Sequence, residues 1–280
     1  MLQRTERVVT TKDVSGWAGV GLLTLAFATL YLLNYLVPLK YTNYTTRIWD
    51  WTLLGLAIGA GAVTAFQWRA IRGSTVWIGG VLALVSGLSK YLDDRSLRWG
   101  VIEGIAVWLT FIAGTLLFQT LKEHTIAAFR PPLADFARRL GVGILLALPL
   151  AVLNNFYFYL QNGAPQFRNI LISAAEALSP GIHEEAVFRY FILAVCFTLL
   201  RHSAHRRLAL ATGVALAVIP HSLLHLPDLF LENPGMATGL LAATSLLFGL
   251  PMALLQIKRS FESAVVFHWF IDFARFLFGF

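Results

Sequence analysis

Apolar runs of about 20 residues recur from one end of the chain to the other, and nothing else in the sequence restricts the fold as much. Such a run crosses a bilayer only as a helix or within a closed barrel, because hydrocarbon offers no partner to an open backbone. Short strands of alternating polarity are missing, which argues against a barrel. The runs fall at roughly 17–39, 51–68, 75–89, 99–120, 141–160, 182–200, 208–226, 236–256 and 261–279. The third is short and rich in glycine. The expected architecture is therefore an all-α polytopic transmembrane bundle of eight to nine spans. Charge usage agrees: 13% of residues are charged, against about 25% in soluble domains.

The net charge of +7 does not indicate a nucleic-acid partner, because the basic residues lie mostly in the short connections. There they set orientation. With nine crossings, one side takes fourteen Lys and Arg, from Arg4, Arg7 and Lys12 through Arg69, Arg72, Lys122, Arg130, Arg138, Arg139, Arg201, Arg206 and Arg207 to Lys258 and Arg259. The other takes six: Lys40, Arg47, Lys90, Arg95, Arg98 and Arg168. The bias predicts a cytoplasmic N-terminus. The single Cys196 rules out an intrachain disulfide and a cysteine-built metal site. No cleavable signal peptide is expected, since the first apolar run is long enough to span. Residues 161–181 hold a helical middle bracketed by Pro165 and Pro180, expected to lie on the membrane surface or to re-enter.

Charged groups inside a bilayer cost about 2.5–3.5 kcal/mol each on insertion scales, and they persist where they pair, line water or do chemistry. Four places need that explanation. In "GIHEEAVFRY", Glu185 and Arg189 are four apart on one helical face and can pair, while Glu184 points about 100° away. In "VIPHSLLHL", His221 and His225 share a face just after Pro220. In "FHWFIDFAR", Asp272 can orient or accept from His268. Glu103 stands alone and reads as a packing group. Each cluster could be only a structural ion pair. In the nine-span topology, however, all three sit at one depth, toward the non-cytoplasmic half. A carboxylate, two histidines and a hydrogen-bonding residue in one buried pocket are suited to activating water against a carbonyl.

The three motifs, in this order, resemble the CPBP family of intramembrane proteases, which includes the CAAX prenyl endopeptidases and bacteriocin-processing homologues. That family's EExxxR, FxxxH and HxxxN/D are matched here by Glu184–Arg189, His221–His225 and His268–Asp272, over about the last hundred residues. The resemblance implies an intramembrane endopeptidase in which Glu184 and His225 activate water and His268 with Asp272 stabilises the oxyanion. It implies Glu185 and Arg189 as the supporting pair. His221 departs from the pattern, standing where the family has Phe, and it is a further supporting candidate that reopens the question of a metal. A metal-free hydrolysis is favoured, because the spacing matches no standard zinc motif; a bound zinc would draw on Glu184, His225 and His268.

Residues 1–160 then read as scaffold helices and 161–280 as the catalytic core of one integral membrane domain. The implied partners are the lipid bilayer and a protein or peptide substrate, lipidated at its C-terminus or membrane-anchored. The expected location is a prokaryotic inner (plasma) membrane. Two rivals use the same residue types: a proton-coupled transporter and a non-catalytic membrane scaffold. Transporters usually show internal repeats with broken helices in matching places, and none is evident here.

Overall fold

A computed structural model describes residues 11–39, 42–121 and 133–280, and the described residues contain helices and no strand. The order is α1 (Thr11–Leu36), α2 (Tyr44–Phe66), α3 (Gly73–Asp94), α4 (Leu97–Thr120), α5 (Leu133–Asn162), α6 (Ile170–Glu176) and α7 (Leu178–Glu184). Then come a π-helical segment (Glu185–Ile192), α8 (Leu193–Leu199), α9 (Arg206–Leu224), α10 (Pro227–Glu232) and α11 (Pro234–Thr244). A second π segment (Ser245–Gly249), α12 (Leu250–Lys258) and α13 (Phe261–Leu277) complete the chain. Of the basic residues counted for orientation, Arg4, Arg7, Lys40, Lys122 and Arg130 lie outside the described residues.

Among the described residues, seven helical stretches are long and apolar enough to cross a membrane: α1, α2, α3, α4, α5, α9, and α11 through α12. The short, glycine-rich third run is one of them, at 22 residues. Two of the nine expected spans fall outside that set. One is the helical stretch 178–199, which carries Glu184, Glu185 and Arg189; the other is α13, with 17 residues and Glu262, His268, Asp272 and Arg275. α13 is shorter than any of the seven, and 178–199 is divided into α7, the π segment and α8; both carry carboxylates and an arginine into the centre.

Two boundaries differ from expectation for identifiable reasons. α2 begins at Tyr44 rather than 51, because Asn43 caps it by accepting from the Thr46 amide at 2.7 Å. Arg47, expected in a loop, is buried in the first turn of α2. Its guanidinium donates to the carbonyls of Pro38, Val37 and Asn34 and to the Asn34 side chain, satisfying the last carbonyls of α1. Pro180, expected to bracket the stretch before the span, sits instead inside the first turn of α7. A proline is tolerated there because that amide has no helical partner.

α4 is the hub. It packs on α2, on α3 and on the π segment at 185–192, and it is buried along most of its length, whereas α1 and α5 expose most of theirs. α13 packs on α5, α6, α7 and α12. Exposed leucines such as Leu22, Leu25, Leu84 and Leu145 face outward on α1, α3 and α5, as a hydrocarbon surround requires. Inside lie Glu103, Glu184, Glu185, Arg189, His221, His268 and Asp272, all buried. These polar groups share the interior with apolar side chains such as Phe111, Phe188 and Phe267.

Candidate active site

The 178–199 stretch and α13 meet closely because Gly181 has no side chain. A Cβ there would stand 3.0 Å from Trp269 Cβ and 3.2 Å from its backbone. Three residues on, α7 gives way to the π segment, whose eight residues are all buried. A π turn is uncommon and occurs mostly at functional sites; here it holds Glu184, Glu185 and Arg189 toward α9 and α13.

The side chains close a ring. Arg189 Nη1 lies 3.2 Å from Glu185 Oε1, and the same oxygen accepts from His268 Nδ1 at 2.9 Å. His268 Nε2 lies 3.5 Å from Glu184 Oε2 and 3.3 Å from Asp272 Oδ2. Glu184 Oε2 in turn stands 2.5 Å from His221 Nε2, and His221 Nδ1 faces Arg189 Nη2 at 3.0 Å. Arg275 extends the ring, with Nη2 3.2 Å from Asp272 Oδ1. Helical spacing foretold the Glu185–Arg189 and His268–Asp272 pairs. The contacts between helices were not readable that way.

Within the ring, His221 rather than His225 is the direct partner of Glu184. An arginine can only donate, so His221 Nδ1 accepts and its Nε2–H is given to Glu184. His225 caps α9, is exposed, and lies with His221 and Glu184 in a set whose nearest donor atoms are within 4.8 Å of one another. This set does not fit a zinc ion as folded. Two tetrahedral ligands about 2.0–2.1 Å from a metal stand roughly 3.3 Å apart, whereas Glu184 and His221 are at hydrogen-bond distance and the ring nitrogen between them carries a hydrogen. His268 Nε2, in contrast, stands 3.5 Å from Glu184 Oε2, near the separation of two ligands, with its Nδ1 held by Glu185, so Glu184, His225 and His268 are the residues that would hold a metal.

Two cavities meet here. One, of about 430 Å³, is largely apolar and runs between α5, α9, α11–α12 and α13, with Leu153, Phe158, Leu240 and Leu247 on its walls. The other, of about 370 Å³, is the more polar of the two, with Thr45, Asp50, Lys90, Glu103 and Ser179 on its walls beside Trp49. Pro180, Glu184, His225 and Arg275 belong to both.

The polar cavity draws on the first half of the chain, which the sequence suggested only as scaffold. Trp49 of α2 sets its ring against His183, His221 and His225, at centroid distances of 5.8, 5.6 and 5.0 Å. Glu103 is not alone: its Oε1 accepts from Ser86 at 2.5 Å and Ser179 at 2.8 Å, and its Oε2 lies 3.9 Å from His183 Nδ1. These partners sit on other helices, and no spacing in the sequence announces them.

Fold and site together define a membrane-embedded helical protein with a buried glutamate–histidine centre, open to both an apolar and a polar cavity. Residues 166–274 match the family model described as Rce1-like, Type II CAAX prenyl endopeptidase Rce1-like. Over that segment, well under half of the chain, the protein is similar to the CAAX protease family, and that likeness implies a peptide hydrolase. No curated protein and no solved structure matches the chain. The matched segment includes every residue of the ring and ends one residue before Arg275.

Proposed function

We propose that the protein hydrolyses a peptide bond of a lipidated or membrane-anchored protein or peptide, using Glu184 as general base and no metal. The observation that carries this reading is the convergence of Glu184, His221, His225, His268 and Asp272, from three separate helices, where an apolar and a polar cavity meet. The apolar cavity suits a lipid chain or apolar side chains entering from the bilayer. The polar one suits the water.

Glu184 and His225 are close enough to hold one water between them. The water oxygen bonds to the carbonyl carbon as Glu184 takes its proton, and the carbonyl π electrons move to oxygen. Collapse re-forms the C=O, breaks the C–N bond and returns the proton to the departing amine. His221 holds Glu184 in orientation, and Arg189 with Glu185 holds His221 and His268. His268 is the neighbouring donor for the oxyanion. In this reading residues 1–160 serve chiefly as scaffold and 161–280 as the catalytic core, with Trp49 and Glu103 reaching across from the first part.

The polar cavity gathers the start of α2, α4 and α7 and the end of α3, α9 and α13. Nine alternating crossings put those ends on one side, which by the charge bias is non-cytoplasmic. The site then serves exported or membrane-anchored substrates of a prokaryotic inner membrane.

The test compares new protein termini in membranes of cells expressing wild type or Glu184→Gln at matched levels. Termini that vanish only with the variant establish the activity and name the substrate. Identical profiles from two folded proteins would return the site to transport or scaffolding.

A further inference from the structure

Resting on that reading, Asp272 is a poor oxyanion partner. Its Oδ2 faces His268 Nε2 and its Oδ1 faces Arg275 Nη2. An ionised carboxylate only accepts hydrogen bonds, so beside a developing negative charge it repels unless a donor stands between them. That donor is one turn further along α13. We infer that Arg275 supplies the cationic hydrogen-bond donor to the oxyanion, with Asp272 positioning it.

Several independent features of Arg275 lead there. It lines both cavities together with Glu184 and His225, where the reacting carbonyl has to sit. Its Nε is buried without a hydrogen-bond partner, although a guanidinium offers five donors and Asp272 engages only one side. The rings of Phe276 and Phe158 lie 4.7 and 5.6 Å from its guanidinium carbon, within cation–π range. The side chain is 29% exposed, so its remaining N–H groups face the cavities, and a cationic donor placed there by Asp272 is what electrostatic stabilisation of a transition state needs. The ion pair with Asp272 accounts for the position of the group but leaves Nε unexplained.

The experiment uses full-length protein, purified and reconstituted in liposomes, with an internally quenched peptide spanning a cleavage site mapped by the Glu184→Gln comparison as probe. Arg275→Met is expected to lower kcat about 100-fold or more while KM stays within about threefold. Asp272→Asn introduces an amide donor at the same edge, so Asp272→Asn/Arg275→Met is expected to recover at least about tenfold over Arg275→Met. Arg275→Lys keeps the charge but loses the planar fork, and about a tenfold drop in kcat is expected. This variant decides the matter if the methionine variant does not fold.

Wild-type kcat in both single variants, a loss confined to KM, or a double variant no better than Arg275→Met would each overturn the inference. A KM effect alone would make Arg275 an anchor for a substrate carboxylate. Glu184→Gln in the same assay separates the two layers. If it cleaves like wild type, the proposed mechanism falls; if it is inactive while Arg275→Met is not, only the role of Arg275 falls.

Discussion

Replacing Arg189 with Met should cost more stability on its own than together with Glu185→Gln. Arg189 is 1% exposed and Glu185 is fully buried, with Nη1 and Oε1 3.2 Å apart. At an effective dielectric constant near 20 that separation corresponds to about 5 kcal/mol of attraction. Desolvation offsets much of it in the intact pair. Removing one partner is different, because the other stays buried without its counter-charge, at a typical cost of about 3–5 kcal/mol. Arg189→Met should therefore shift the unfolding equilibrium by roughly two to nearly four orders of magnitude. Glu185→Gln keeps an acceptor for His268 but turns an amide donor toward Arg189, so it too should be costly. With both changes no stranded charge remains, and the double variant should be at least about 2 kcal/mol more stable than the sum of the single losses predicts. Denaturant titration of protein in bicelles, followed by fluorescence of its eight tryptophans, measures all four corners of the cycle. Losses that simply add, or an Arg189→Met cost below about 1 kcal/mol, would refute the idea that this pair is a closed, desolvated unit.

The contact at Gly181 gives a second test. Gly181→Ala must push Trp269 away, at a cost of about 1–3 kcal/mol, and it should lower kcat by separating Glu184 and Glu185 from His268; thermal unfolding with peptide kinetics reads both. His221→Phe restores the residue type of the family pattern but removes the donor to Glu184 and the acceptor for Arg189. Its kcat should fall at least about tenfold, and unchanged kcat would show that Glu184 does not depend on His221. Outside the spans, Asp228 of α10 accepts from the amides of Tyr44 and Thr45 and from the Thr45 hydroxyl at 3.1, 2.9 and 2.6 Å. Burial pushes its carboxyl up, but the hydrogen bonds of Thr45 and Tyr44 outweigh that and leave it below the usual range. A depressed carboxyl adds stability above its unfolded value, near 4, and loses it as pH falls through the folded one. Hydrogen exchange at Tyr44 and Thr45, corrected for the intrinsic rate, should therefore lose protection below about pH 4 in wild type; Asp228→Asn should show no such step.

The sequence carried the fold class because hydropathy over 20 residues is a strong signal, and it carried the intrahelical pairs because i, i+4 spacing is fixed by helix geometry. Glu184, Glu185, Arg189, His221, His268 and Asp272 were all visible as charges or imidazoles in apolar surroundings. Their ranking was not. Whether His221 or His225 meets Glu184 depends on where α9 ends and on the π segment opposite it, and neither leaves a mark in the residue pattern. Trp49 falls before the expected span 51–68 and belongs to no motif, and Glu103 reads as isolated because Ser86, Ser179 and His183 approach from other helices. Arg275 lies three residues beyond the last motif residue, and no spacing marks it.

The ring of ion pairs also bears on how the protein is made. On its own, the stretch 178–199 brings two carboxylates and an arginine into the hydrocarbon, and their closest partner outside α9 is His268, roughly 70 residues further along. At about 5–20 residues per second, that partner emerges roughly 4–14 s after Leu199 has been synthesised. During that interval the stretch cannot partition stably into lipid alone. It must stay sheltered by the insertion machinery, or at the interface, until α9 and α13 arrive, so the helix carrying Glu184 is committed to the membrane only when the last helix closes the circuit.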